Sequence, residues 1–213
     1  MGSSNEYAKL VKIKTDNLTD KGFKAKLTLP SSKTLVREWD YINFYVGIGG
    51  YECGISCRNQ PDWKQNGVLK WRVFANGEGG TTYGNLYADG ATVTISIEKN
   101  AQNKIDFKVN DVVVKAFSTT NPTIENSARL IFASSQSTGY TPPLVAWDVL
   151  HDQVRAYEMK YKNSSDTWVA FTTGSKVVAE EWPLGVATPD GRKYILDKAS
   201  IGNAEVYASL KNF

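Results

Sequence analysis

Apolar and polar residues alternate with a period of two through most of this chain. Lys9–Lys14 reads K-L-V-K-I-K and Phe23–Leu29 reads F-K-A-K-L-T-L, with apolar side chains on one face and Lys or Thr on the other. Tyr41–Val46 sets Ile42, Phe44 and Val46 against Tyr41, Asn43 and Tyr45. Thr92–Glu98 sets Val93, Ile95 and Ile97 against Thr94, Ser96 and Glu98, and Lys104–Asn110 sets Ile105, Phe107 and Val109 against Asp106 and Lys108. Successive side chains of a strand point to opposite faces, so a sustained period of two predicts half-buried strands. The β-branched and aromatic content of these runs suits a pleated surface.

Turn signals separate the runs: Asp20-Lys21-Gly22, Gly49-Gly50, Asn76-Gly77 with Gly79-Gly80, Asp89-Gly90, Asn110-Asp111 and Pro189-Asp190-Gly191. This punctuation predicts an antiparallel all-β domain. Helical candidates are short, at Val177–Glu181 and Leu196–Ala204. Ser134–Pro143 (S-S-Q-S-T-G-Y-T-P-P) reads as a long connection followed by strand-like Leu144–Val149. No internal repeat or low-complexity segment occurs. The expectation is one β-sandwich domain over residues 1–213, with 1–5 as a tail.

Composition narrows the chemistry. The 213 residues carry 25 basic and 22 acidic side chains, so a dedicated nucleic-acid binder is not expected. No apolar run approaches the ~18 residues of a membrane-spanning helix. One histidine and two cysteines exclude multi-histidine and four-cysteine metal sites and a disulfide framework. Cys53 and Cys57, four apart in one strand, would lie ~13 Å apart. A disulfide needs Cα atoms within ~7 Å, so two buried thiols are expected. His151, beside Asp152, reads as a surface loop residue, since no G-x-S-x-G nucleophile turn accompanies it. Asp89, Asn110 and Asp111 in turns are compatible with a structural calcium, although no ordered D-x-D-x-D loop occurs. Otherwise no cofactor is expected.

Parity assigns two faces. Strand Tyr51–Arg58 buries Tyr51, Cys53, Ile55 and Cys57 and presents Glu52, Gly54, Ser56 and Arg58. Strand Leu69–Phe74 buries Leu69, Trp71 and Val73 and presents Lys70, Arg72 and Phe74. If these strands neighbour Tyr41–Val46 and Thr92–Glu98, then Tyr41, Asn43, Tyr45, Glu52, Arg58, Arg72 and Glu98 line one groove. Sugars are held by such mixtures: a ring stacks on the C–H face of a pyranose while carboxylate, amide and guanidinium groups take its hydroxyls. Gly54 on the open face reads as a point of close approach by a ligand or another chain. Trp63, in the polar loop Arg58–Gly67, is either a stacking platform at the rim or a cap folded onto the sandwich edge. The loop Ala75–Tyr87, with Tyr83 and Tyr87, could wall the groove. Trp71, Trp147 and Trp168 are expected in the core, and Trp39 and Trp182 at turns. Glu52 and Glu98 form a candidate acid/base pair for glycoside hydrolysis if ~5–9 Å apart.

At Phe44–Arg58 (F-Y-V-G-I-G-G-Y-E-C-G-I-S-C-R) the chain resembles the concanavalin A-like lectin/glucanase jelly rolls. Leu27–Val149 is similar to the glutamic peptidases, through Val46-Gly47-Ile48-Gly49-Gly50, Asp62-Trp63 and Lys70-Trp71-Arg72-Val73-Phe74. That family uses a Gln and a Glu on the concave face. Glu52 falls near the Gln position, and the strand expected to carry the Glu, Ala128–Ala133, has no carboxylate, so the dyad does not carry over. Tyr51–Arg58 is also similar to a strand of the jelly-roll alginate lyases, with Ser56 where they have Tyr. Their Q-I-H and R-x-E-L-R motifs, and the E-x-D-x-x-E signature of jelly-roll glucanases, have no match here.

The resemblance implies a jelly-roll sandwich with a site on its concave face. With few catalytic residue types, the expected function is a non-catalytic module that binds a carbohydrate or glycan. The alternatives are a polysaccharide-cleaving enzyme using Glu52 and Glu98, or a structural or adhesion domain that binds protein. Composition and resemblance favour a secreted or surface protein. Met1-Gly2-Ser3-Ser4 has no apolar run and reads as an expression remnant in place of a removed signal peptide. The N-x-S/T triplets at Asn17 and Asn163 are glycosylation acceptors by pattern.

Overall fold

The computed structural model describes residues 6–119, 128–137, 147–173, 177–182 and 194–211. The alternating runs become strands, and every pairing among the described residues is antiparallel. In chain order they are β1 (Glu6–Thr15), β2 (Gly22–Thr28), β3 (Lys33–Thr34), β4 (Tyr41–Ile48), β5 (Tyr51–Arg58), β6 (Lys64–Gln65), β7 (Val68–Leu69), β8 (Trp71–Gly77) and β9 (Gly80–Tyr87). There follow β10 (Thr92–Lys99), β11 (Ile105–Val109), β12 (Val112–Ala116), β13 (Arg129–Ser137), β14 (Leu150–Lys162), β15 (Trp168–Ala170), β16 (Val177–Trp182), β17 (Ile195–Asp197) and β18 (Val206–Leu210).

Two large sheets form. The first has seven strands in the order β16-β1-β13-β4-β5-β8-β9. The second runs β12-β11-β10-β2-β14-β18-β17, with β3 and β15 added along β14. β6 and β7 make a small separate hairpin. Strands from both ends of the chain share each sheet, which is the interleaving expected of a sandwich rather than of two consecutive units.

The inner faces carry the residues that parity predicts. Val11, Ile42, Phe44, Ile55 and Trp71 from the first sheet pack with Phe23, Leu27, Ile95, Phe107 and Val206 from the second. Phe44 is a hub: its ring stacks on Trp71 at 5.2 Å and meets Phe132 edge-on at 5.8 Å. Truncating such a buried ring to alanine costs about 3–5 kcal/mol, because the lost transfer energy adds to that of an unfilled cavity.

Several sequence expectations need correction. Val177–Trp182 is a strand pairing with β1 and not a helix. Leu196–Ala204 splits into the end of β17 and a three-residue 3-10 turn, Ile201–Asn203. Ala75–Tyr87 is a hairpin, its second strand forming the edge of the first sheet. Trp168 is only half-buried, whereas Trp71 and Trp147 are in the core as expected and Trp39 is exposed. The tail 1–5, the stretch 138–146 and the turn Pro189-Asp190-Gly191 lie outside the described residues, as does the side chain of Trp182. No helix among the described residues is long and apolar enough to cross a membrane.

Candidate functional site

The outer face of the first sheet gathers the predicted residues. Register places Tyr41 opposite Arg58, Asn43 opposite Ser56, Tyr45 opposite Gly54 and Gly47 opposite Glu52 across β4 and β5. On the far side of β5, Ser56 faces Arg72 and Gly54 faces Phe74. On the far side of β4, Tyr41 faces Ser135, Asn43 faces Ala133, Tyr45 faces Ile131 and Gly47 faces Arg129. Edge strand β9 adds Tyr83 beside Phe74 and Leu86 beside Arg72. Tyr41, Asn43, Tyr45, Glu52, Arg58 and Arg72 therefore share one surface.

The middle of that surface is tightly built. A Cβ on Gly54 would lie 2.1 Å from the Phe44 carbonyl oxygen and 2.6 Å from Tyr45 Cα. The glycine is thus explained by the neighbouring strand of the same chain, and the reading of Gly54 as a point of ligand approach is corrected. Tyr45 meets Phe74 edge-on at 6.0 Å, and burial drives its phenol well above its ordinary pKa. Gly47 leaves room for the Arg129 guanidinium, which a Cβ there would approach within 2.9 Å. Arg129 crosses this gap and donates to Glu52 Oε1 at 2.9 Å and to the Gly49 carbonyl at 3.0 Å. Glu52 is therefore the partner of an arginine.

Toward β9 the character changes. Pro61–Trp63 forms a single 3-10 turn that folds Trp63 back against the sheet, leaving the residue 3% exposed. Of the two readings of Trp63, the folded-back one holds. Its ring meets Tyr83 edge-on at 5.0 Å. The Arg58 guanidinium lies 5.4 Å from the Tyr41 ring, 5.5 Å from Trp63 and 5.9 Å from Tyr83. Arg72 lies 5.2 Å from Trp63 and 5.3 Å from Tyr83. These are cation–π distances. Next to them Asp62, Gln65, Arg72 and Leu86 help to line an open depression of about 540 Å³.

Glu98 is not part of this face. It lies on β10 in the second sheet, where its carboxylate accepts from Lys108 and, at 2.9 Å, from Lys162. Burial pushes its pKa up, but the hydrogen bonds and charge of the two lysines outweigh that and hold it below the ordinary value. With Glu52 and Glu98 on different sheets and each paired with cations, the acid/base pair has no geometric basis.

Other candidates resolve into structure. His151 is 2% exposed and not a surface residue. Its Nδ1 lies 2.6 Å from the Asp152 carbonyl, and its Nε2 lies 2.7 Å from the Tyr194 hydroxyl, itself 2.9 Å from Ser134 Oγ. Burial lowers its pKa to about 4. Cys53 and Cys57 are unpaired buried thiols, pushed up to about 12 by burial. The turn residues considered for calcium do not converge. Asp89 binds Lys33 and accepts from Trp71 Nε1 at 2.7 Å, Asn110 accepts from the Thr94 amide, and Asp111 pairs with Lys24. Among the described residues no group of three His, Cys, Asp or Glu side chains could hold a metal ion.

One feature of the face was not legible beforehand. Among the described residues five buried side-chain atoms have no hydrogen-bond partner: Asn43 Oδ1, Ser56 Oγ, Arg58 Nε, Trp63 Nε1 and Ser135 Oγ. Asn43, Ser56, Arg58 and Ser135 lie on this one surface and Trp63 folds onto its edge. Arg129 carried no signal because Leu130–Ala133 beside it are apolar on both faces, and Ser135 none because the polar run from Ser134 reads as a connection, whereas Ser134–Ser137 are the end of β13.

In sequence, no protein-family model matches the chain and no curated protein matches it. In structure it is similar to Scytalido-glutamic peptidase solved with a transition-state analogue inhibitor, with a TM-score of 0.61 over 98% of this chain and 99% of that one, at 10% identity. SCP-B, a member of the Eqolisin family of peptidases solved with a tripeptide, gives 0.58 over the same shares at 12% identity. The likeness shows a jelly-roll β-sandwich fold. A tetrameric galectin from the ball sponge Cinachyrella sp. also aligns, at a TM-score of 0.36 over 70% of this chain and 99% of that one, with 14% identity.

Proposed function

We propose that this jelly roll is a non-catalytic carbohydrate-binding module of a secreted or surface protein, and that it binds through the outer face of its seven-stranded sheet. The observation that carries this reading is the set of five partnerless buried polar atoms gathered on or against that face. Buried polar groups normally find partners, and one left without costs about 1–3 kcal/mol. These atoms lie just beneath the surface, and a face that concentrates several of them is suited to a polar ligand whose docking shifts the side chains above and supplies the missing bonds. Around them stand Tyr41 and Tyr83, rings suited to the C–H face of a sugar. A binding role rather than turnover is supported by the inert state of the catalytic residue types. Glu52 is held by Arg129, Glu98 by two lysines, His151 is neutral and buried, and both thiols are protonated.

The test is affinity electrophoresis against a broad panel of polysaccharides, with product assays on the same mixtures. Retarded migration without new reducing ends or unsaturated sugars is expected, and Tyr83→Ala should weaken the retardation about tenfold. Product release would make the protein an enzyme. Absence of retardation across the whole panel would remove the carbohydrate reading and leave adhesion to protein.

A further inference from the structure

We propose that the ligand is an acidic glycan, and that Arg58 and Arg72 form the subsite for its carboxylate or sulfate group. This presupposes that the outer face binds glycan.

The two arginines are close neighbours by register. Arg72 is directly opposite Ser56, and Arg58 follows Ser56 by two residues on the same face. Both guanidinium groups lie on the same two rings, 5.5 and 5.2 Å from Trp63 and 5.9 and 5.3 Å from Tyr83. Neither forms a salt bridge among the described residues, although ten other basic side chains do. The protein's own contacts to Arg72 are weak: its Nε reaches the Gly84 carbonyl at 3.3 Å and one terminal nitrogen the Asp62 carbonyl at 3.4 Å. Asp62 and Arg72 are the charged residues that line the depression, and Arg58, on the same two rings as Arg72, adds a second cation beside it.

The polar atoms without a partner at this end, Arg58 Nε and Trp63 Nε1, are both donors, so the local field favours an acceptor. Both atoms are buried, so a ligand meets the half-exposed guanidinium groups of Arg58 and Arg72 rather than these atoms. Stacking on aromatic rings holds a guanidinium by its face and leaves its N–H edge available for a planar, two-oxygen group. Two adjacent cations without a counter-charge repel each other, and an anion removes that repulsion while forming charge-assisted bonds. A neutral hydroxyl could accept the hydrogen bonds, but it would leave the paired charges uncompensated. Beyond this cluster half-buried Tyr41 and Asn43 continue the surface with a ring and an amide, which suits the rest of a sugar chain.

The experiment is titration calorimetry of the full chain with polygalacturonate, a neutral mixed-linkage β-glucan and poly-L-glutamate, each in 50 and 500 mM salt. Polygalacturonate should bind at least tenfold more tightly than β-glucan and lose about tenfold or more at high salt. Arg58→Gln and Arg72→Gln should each weaken it by a similar factor, while Arg58→Lys and Arg72→Lys lose less. The salt response of the unmodified protein stands even if a variant fails to fold. Equal binding of β-glucan, unmoved by salt or by either arginine variant, overturns the acidic-ligand inference and leaves the carbohydrate reading intact. Binding of poly-L-glutamate alone overturns both and makes the partner an acidic peptide. No heat with either glycan in calorimetry, together with no retardation across the polysaccharide panel, also overturns both.

Discussion

At the scale of single residues, burial and close contact decide what each candidate can do. Gly54 has no room for a side chain, since its Cβ would stand 2.1 Å from a carbonyl oxygen. Gly54→Ala should therefore lower unfolding free energy by about 2 kcal/mol or more, read by urea denaturation. His151 predicts a pH dependence. Its folded pKa, about 4, lies below its ordinary value of 6.5 because burial disfavours the charged ring. Between those values the unfolded chain binds a proton that the folded one refuses. Stability should be flat above pH 6.5 and fall as pH drops toward 4, at roughly 1.4 kcal/mol per unit. It is the chain's one histidine, so His151→Gln should flatten the urea midpoint between pH 6.5 and 5. A midpoint that rises on acidification would contradict the buried neutral ring. Cys53 and Cys57, raised to about 12, are protonated at neutral pH. A thiol reagent should modify neither in the native protein and both after denaturation.

At the scale of elements, alternation was a reliable guide to which strands exist and which residues face inward. Tyr51–Arg58 is the clearest case: Cys53, Ile55 and Cys57 are fully buried on one face while Glu52 and Arg58 stand on the other. Parity assigns a face but not a sheet. Glu52 and Glu98 look equivalent in sequence, and only the pairing order separates them, β5 to the first sheet and β10 to the second. Glu98 joins strands instead, tying β10 to Lys108 on β11 and Lys162 on β14. Glu98→Gln should cost roughly 1–3 kcal/mol in denaturation and leave glycan affinity unchanged. A loss of binding with stability intact would return Glu98 to the site. Irregularity explains the other misses. A break in register between His151 and Val154 puts both inside, three residues apart, where strict alternation cannot. Val177–Glu181 contains Ala and two Glu, good helix formers, yet pairing with β1 overrides that local preference.

At the scale of the whole molecule, the two sheets bury one shared core and differ in what they turn outward. The second sheet's outer face is laced with ion pairs such as Lys24–Asp111, Lys26–Glu158 and Glu98 with its two lysines. The first sheet's outer face carries the Arg129–Glu52 pair and, toward β9, rings, Arg58 and Arg72 without a carboxylate partner among the described residues, and buried polar atoms without bonds. The first sheet is therefore the one on which we propose the binding surface. The fold was legible from periodicity and turns. The partnerless set was not, because an unsatisfied atom is defined by the neighbours it lacks in three dimensions. The most direct test of the account is the indole N–H spectrum of the protein, which carries six tryptophans, during titration with a polygalacturonate oligomer. The account predicts that the Trp63 resonance moves most and that the core Trp71 and Trp147 stay nearly fixed. Saturable shifts confined to residues of the second sheet, with Trp63 unmoved, would contradict it.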